Sequence, residues 1–288
     1  MKIGLVLEGG AHRTIFSCGV MDALLEAKIN ADYVVGTSAG ITYGMSYVAR
    51  QKGRNREMFR RYVRSSRYMG IPHLLNPFNR SYYNLKYVFD TIPNQKLPVD
   101  YNTLRTFQGE AIAVVTNMET GEPEYLPVGA DDPSWKVLQA TCALPLLFKP
   151  ISINGHMYAD GGVADSIPFM KAIEEKCDRI IVVLTRERSY RKTAESATNY
   201  IVRHYQKKYP AYAEKIRNRH ERYNACIEEI AKREENGEIY VIAPEDTLQV
   251  GRTEKDVSKL MALYAQGYAI TMQQLNALKA YMEDEVQF

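Results

Sequence analysis

The chain has 288 residues, 45% apolar and 25% charged, with 37 Lys and Arg against 34 Asp and Glu and a formal net charge of +3. That composition describes a folded globular chain and excludes a disordered, collagenous or coiled-coil one; +3 is too mild to argue for nucleic acid as a partner. The longest apolar runs fall far short of the ~20 residues that a bilayer-spanning helix requires.

Taken in chain order, Lys2 to Leu7 predicts a buried first strand; Glu8-Gly9-Gly10 follows at once, which argues against a leader peptide. Arg13 to Lys28 carries Phe16, Val20, Leu24 and Ala27 at helical spacing. Ala31 to Val35 is a second strand, and Ile41 to Gln51 a second helix. Alternation at this pace predicts βαβ units, hence an α/β fold with a mostly parallel central sheet flanked by helices. From 53 to about 108 the strand signal vanishes among Arg, Tyr, Asn and Pro, so this stretch is expected to be an insertion of short helices and loops over the sheet edge. Ala111 to Thr116 resumes a strand, with Glu124 to Val128 as its partner. Ser134 to Ala143 predicts a short helix stopped by Pro145. Asn154-Gly155 between two short apolar runs predicts a hairpin, because Asn-Gly suits a type I′ turn. Helix Ile167 to Lys176, strand Arg179 to Leu184, a long polar helical stretch over 193–235, strand Ile239 to Ile242 and helical Glu254 to Met282 complete the chain. No repeat or linker interrupts it. One domain over 1–288 is expected, with a C-terminal helical extension over about 193–288.

Three glycine-punctuated corners carry chemistry. Gly36-Thr37-Ser38-Ala39-Gly40 is a G-x-S-x-G sequence between a predicted strand and a predicted helix, the context of a nucleophile elbow. The glycines allow a tight turn that exposes the Ser38 hydroxyl, and the following helix favours negative charge at its N-terminus. Asp160-Gly161-Gly162 follows the hairpin; a carboxylate within hydrogen-bond reach can act as base to a serine, and partial burial would raise its pKa. Glu8-Gly9-Gly10-Ala11-His12-Arg13 is a strand-to-helix corner whose small residues expose backbone N–H groups, as an oxyanion hole needs; the same corner could cradle a phosphate. None of His12, His73, His156, His204 and His220 sits where an α/β-hydrolase places its histidine, although strand alternation puts His156 on the face of Asp160.

These corners, in this order, resemble the patatin-like phospholipase family, in its bacterial branch. Gln139-Ala140-Thr141-Cys142-Ala143-Leu144-Pro145 with Phe148 is similar to the family's approach to the Asp motif, and Val182 to Arg186 and Tyr190-Arg191-Lys192 resemble further stretches. The resemblance implies a Ser–Asp dyad of Ser38 and Asp160, an oxyanion hole from Gly10 and Ala11 closed by Arg13, and motif glycines Gly9, Gly36, Gly40, Gly161 and Gly162. It implies acyl-ester hydrolysis through an acyl-enzyme, on a lipid or small ester, without metal or cofactor. Ala11 stands where the family has a third glycine and Thr14 where it has another. At φ < 0 the alanine keeps its donor; at φ > 0 it costs about 1 kcal/mol. A catalytically impaired binding or regulatory protein on the same fold therefore stands as the alternative.

Residues 50–67 hold eight Arg or Lys against Glu57 alone. They suit either a solvated helix or contact with an anionic membrane surface. The basic stretch 203–222 is read as a solvated helix. Cys18, Cys142, Cys177 and Cys226 form no C-x-x-C pair and are expected to be reduced thiols in a cytoplasmic protein.

Overall fold

The structure is a computed structural model, and it describes residues 1–283. Five strands run parallel in the order β3 (Glu110–Asn117), β2 (Tyr33–Thr37), β1 (Ile3–Leu7), β7 (Arg179–Val183) and β8 (Tyr240–Ile242). Strand β4 (Pro123–Pro127) and the hairpin of β5 (Ile151–Ile153) and β6 (His156–Asp160) add antiparallel pairs. The hairpin turns on Asn154 and Gly155, at φ 50° and 87°, as a type I′ turn demands.

The central strands are buried on both faces, so their side chains alternate between two apolar layers. Leu5, Leu7, Val34, Ile181 and Val183 point to one layer, shared with α1 (Ile15–Glu26), α2 (Ala39–Val48) and α11 (Val257–Gln273). Val6, Val35, Ile180 and Val182 point to the other, against α7 (Phe169–Glu174) and α10 (Arg219–Glu235). The C-terminal helices are built into the core. A Cβ on Gly19 of α1 would lie 2.0 Å from the Tyr264 carbonyl oxygen, and one on Gly267 of α11 would lie 2.2 Å from that of Phe16, so two backbones touch where only glycine fits.

Several boundaries differ from expectation. Helix α1 starts at Ile15, because a 3-10 turn over Ala11–Thr14 takes the first turn. The stretch 193–235 breaks before Pro210 and at Asn218 into α8 (Thr198–Tyr205), α9 (Pro210–Arg217) and α10. The 53–108 insertion holds α3 (Arg54–Tyr62), α4 (Ile71–Leu75), a π-helical stretch Tyr87–Lys96 and α5 (Tyr101–Thr106). Helix α3 packs on α1, α2 and α11, with Phe59 fully buried, so its apolar face is laid over helices and not over a strand edge. Helix α6 (Lys136–Thr141) precedes the hairpin, and α12 (Leu275–Glu283) follows α11; residues 284–288 of the expected extension lie outside the described residues. Among the described residues, no helix is long and apolar enough to cross a membrane.

One register detail positions the site. β2 pairs with β3 up to Thr37↔Val114, and β6 takes over at Asp160↔Val115. Because β4 holds the other edge of β3, β2 and β6 meet end to end on one edge. The residue after β2 and the last residue of β6 therefore converge.

Candidate active site

Ser38 is that residue after β2. It alone makes the turn into α2, at φ 54° and ψ −128°. Such a conformation costs a serine on the order of 1–3 kcal/mol and persists because its surroundings hold it. The Ser38 N–H donates to Thr141 Oγ1 at 2.8 Å, and the Thr141 hydroxyl donates to the Val114 carbonyl. Thr42 Oγ1 donates to the Ser38 carbonyl at 3.0 Å. Gly36 and Gly40 lie against the end of β1; a Cβ on Gly40 would come within 2.6 Å of the Leu7 carbonyl oxygen.

The Ser38 hydroxyl donates to Asp160 Oδ2 at 2.8 Å. The other oxygen, Oδ1, accepts from the Gly162 N–H at 2.7 Å. The Asp160 backbone is tied at both ends: its N–H donates to the Ala143 carbonyl at 2.9 Å, and its carbonyl accepts from Thr116 Oγ1 at 2.8 Å. Gly161 fits because a Cβ there would sit 2.1 Å from the Val114 carbonyl oxygen. Asp160 is 1% exposed, and burial raises its pKa above the ordinary carboxylate range. The Arg219 charge, the Ser38 hydroxyl and the Gly162 N–H oppose that rise.

In the first corner, the Gly9 N–H donates to the Ser166 carbonyl, the Arg13 N–H to that of Gly10, and the His12 N–H to that of Arg252. Among the described residues, no acceptor pairs with the N–H of Gly10 or of Ala11, and both residues line the cleft beside Ser38. The Arg13 N–H is spent on closing the turn, and its side chain lines the same cleft. Ala11 has φ 50°, the left-handed case in which an alanine is strained.

The histidine beside the site is His12, and sequence reasoning gave it no role. Its Nδ1–H donates to the Glu254 carbonyl at 2.7 Å, and Nε2 accepts from the Tyr83 hydroxyl at 2.8 Å. Burial pushes its pKa down to about 4, so it is neutral and ties the corner to the segment before α11. It makes no hydrogen bond to Ser38. His156 is exposed, with its ring 6.4 Å from that of Tyr158. Four residues of strand, roughly 13 Å, separate it from Asp160, so sharing a face does not bring it to Ser38.

Two pockets meet at Ala11, Ser38 and Leu144. One, about 60 Å³, is lined by His12, Tyr43, Tyr68, Tyr83, Phe89 and Phe148, and shares Thr42, Tyr43, Tyr68, Val88 and Phe89 with a further cavity of about 70 Å³ beneath it. The other, about 50 Å³, is lined by Arg13, Arg186, Lys192, Arg219 and Arg252 together with Glu8 and Asp160. The solvated-helix expectation for 203–222 fails at its end. Arg219 Nε donates to the Gly162 carbonyl, and Arg222 donates to that of Val163 at 2.7 Å. The signal was present: Arg219 stands one helical turn before Tyr223, Ile227 and Ile230, the buried stripe of α10.

A hydroxyl held on a buried carboxylate beside two unpaired N–H groups can support acyl transfer. The chain has relatives among known proteins. The uncharacterized protein YjjU of Escherichia coli K12 is 28% identical over 191 residues, 64% of this chain and 52% of that protein. Lysophospholipase nte1 of Aspergillus terreus is 30% identical over 178 residues, 60% of this chain and 11% of the fungal protein. The chain thus spans about half of the one and a small part of the other. VipD from Legionella pneumophila shares the fold, with a TM-score of 0.50 at 17% identity over 96% of this chain and 67% of that chain. Residues 209–283 match a domain of unknown function, DUF6363. Residues 5–173 match the profile of patatin-like phospholipases, from β1 through Ser38 and Asp160 into α7, and the chain belongs to that family.

Proposed function

We propose that this chain is a lipid acyl hydrolase of the phospholipase A or lysophospholipase type, with Ser38 as nucleophile and Asp160 as base. The observation that carries the proposal is the 2.8 Å hydrogen bond from the Ser38 hydroxyl to a buried carboxylate. Ser38 Oγ attacks the ester carbonyl carbon as its proton passes to Asp160. The tetrahedral oxyanion is received by the N–H groups of Gly10 and Ala11. The ester C–O bond breaks, and Asp160 returns the proton to the departing alcohol. Water then repeats the sequence and frees the acyl group from Ser38. Raising the Asp160 pKa by burial brings the base closer to working pH.

Exposed Ile71, Leu75 and Phe78 in the insertion, with exposed Arg60 and Arg61, support peripheral contact with an anionic membrane surface. Four free cysteines support a reducing, cytoplasmic setting. A fluorophosphonate probe, followed by peptide mapping, tests the reaction: the label is expected on Ser38 and nowhere else. An unlabelled Ser38 in folded protein overturns it.

A further inference from the structure

We infer that Thr141 is a positioning residue for the nucleophile: its hydroxyl completes the sheet's bonding where Ser38 leaves β2, and so fixes where the Ser38 hydroxyl stands relative to Asp160. The effect on rate rests on the proposed hydrolysis; the relay itself rests on hydrogen bonds alone. The Glu110 N–H donates to the Asp32 carbonyl at 2.8 Å, and β2 and β3 then pair in parallel up to Thr37↔Val114. Donors alternate along such a ladder, so its next rung would run from the Ser38 N–H to the Val114 carbonyl. That rung is relayed instead. The Ser38 N–H donates to Thr141 Oγ1 at 2.8 Å, and the Thr141 hydroxyl donates to the Val114 carbonyl. One fully buried hydroxyl stands in the ladder as acceptor and donor at once.

Two hydrogen bonds in series span more than one. The relay therefore lets the chain turn away from β3 while the buried N–H and C=O both stay paired. The end of β6 occupies the same place: a Cβ on Gly161 would lie 2.1 Å from the Val114 carbonyl oxygen. Thr42 holds the Ser38 carbonyl at 3.0 Å, so both backbone groups of a residue at φ 54° meet threonine hydroxyls. With the backbone held on both sides, the side chain has its direction set towards Asp160, whose Oδ2 it meets at 2.8 Å.

The same short segment reaches the base. Thr141 closes α6, and two residues later the Ala143 carbonyl accepts the Asp160 N–H at 2.9 Å. Nucleophile and base are thus both fastened to 141–143. Ala143 acts through its backbone, whereas Thr141 acts through a side chain that a substitution can remove. Valine keeps the branched shape and lacks the hydroxyl; serine keeps the hydroxyl. A displacement of the reacting oxygen by about 1 Å is enough to cost about 100-fold in rate.

The test compares the full chain with Thr141→Val and Thr141→Ser in three readouts: kcat and KM on p-nitrophenyl butyrate, the rate of fluorophosphonate labelling, and hydrogen exchange of the Ser38 amide followed by NMR. Thr141→Val is expected to lower kcat and the labelling rate by about 10- to 100-fold, with KM held within about twofold. Its Ser38 amide is expected to exchange about tenfold faster or more, having lost its acceptor. Thr141→Ser is expected to recover most of all three. Should Thr141→Val fail to fold, Thr141→Ala takes its place. In an active enzyme, a folded hydroxyl-free variant with the kcat or the Ser38 exchange of the wild type overturns the inference. So does a Thr141→Ser as impaired as Thr141→Val, which would assign the effect to packing. A wild type that neither cleaves the ester nor takes the label overturns the hydrolase, and Ser38 exchange then decides the relay alone. Slow exchange in the wild type and Thr141→Ser with fast exchange in Thr141→Val upholds it, and equal exchange in all three overturns it.

Discussion

Ser38 stands between two walls of opposite character. Towards α2 and the insertion it faces rings whose polar tips are satisfied within the protein: the Tyr43 and Tyr68 hydroxyls lie 3.4 Å apart, and Tyr83 bonds His12. Towards α10 it faces Arg13, Arg186 and Lys192, which find no acceptor among the described residues. The aromatic wall is complete without a ligand and can receive only something apolar. Such an asymmetry sets the two sides of Ser38 apart, because an anion placed among the rings would be buried without a partner.

The comparison breaks entirely if the group between the walls does not do chemistry. Asp160→Asn keeps the corner's shape and removes the proton acceptor. Turnover of any ester is expected to fall by about 10³-fold or more, approaching Ser38→Ala, since the two act as a unit. Near-normal activity would leave Ser38 in need of another base. The fold should not suffer. Burial makes the ionised Asp160 less favourable in the folded chain than in the unfolded one, so the melting temperature of the variant is expected to equal or exceed that of the wild type.

The aromatic wall is sharpened by filling it. Val88 lines both the pocket at Ser38 and the cavity beneath. Val88→Trp should lower kcat/KM for dodecanoyl esters about tenfold or more relative to butanoyl esters, which need only the upper pocket. Equal losses on both chain lengths would place the acyl chain elsewhere.

The two walls were not equally legible in the sequence. Ser38, Asp160 and the Gly9-Gly10 corner announce themselves, because tight turns and close backbone approaches need glycine within a residue or two. The βαβ pacing likewise gives the central strands, whose apolar runs are buried on both faces. The basic wall is assembled from four segments between Arg13 and Arg252, and nothing local marks Arg186 or Lys192 as facing Ser38. Arg219 is the exception, standing in line with the α10 stripe, but its surroundings of Arg, Lys and Glu read as solvent-facing. The docking of α11 on α1 was hidden for a related reason: Gly19 and Gly267 signal close approach only once paired.

The basic wall also acts on the base. A rate limited by ionised Asp160 falls on the acid side as its carboxylate protonates, and burial places that limb above the ordinary carboxylate range. Arg219 is the largest of the influences holding the pKa down. Arg219→Gln removes a positive charge, so the pKa rises and the acid limb of kcat/KM moves to higher pH. The profile is to be measured with a neutral ester, so that titration of the substrate does not contribute. A limb that stays put, or moves to lower pH, would show that Arg219 does not act on Asp160 through its charge.

The smallest expected effect lies at the divide itself. Ala11 lines both pockets, presents an unpaired N–H, and holds φ 50°, where its methyl crowds the backbone. Ala11→Gly relieves up to about 1 kcal/mol of that strain, offset in part by the freer unfolded chain. A rise in melting temperature of about 0–3 °C is expected. Activity is expected to stay the same or rise, since the N–H keeps its direction as long as the turn persists, and the turn is held from both sides by Gly10–Arg13 and His12–Arg252 hydrogen bonds. The informative result is a split between the two measurements. A more stable variant with much lower kcat would mean that the alanine methyl, and not the turn, fixes where the oxyanion donor points, and that the strain is retained for that purpose.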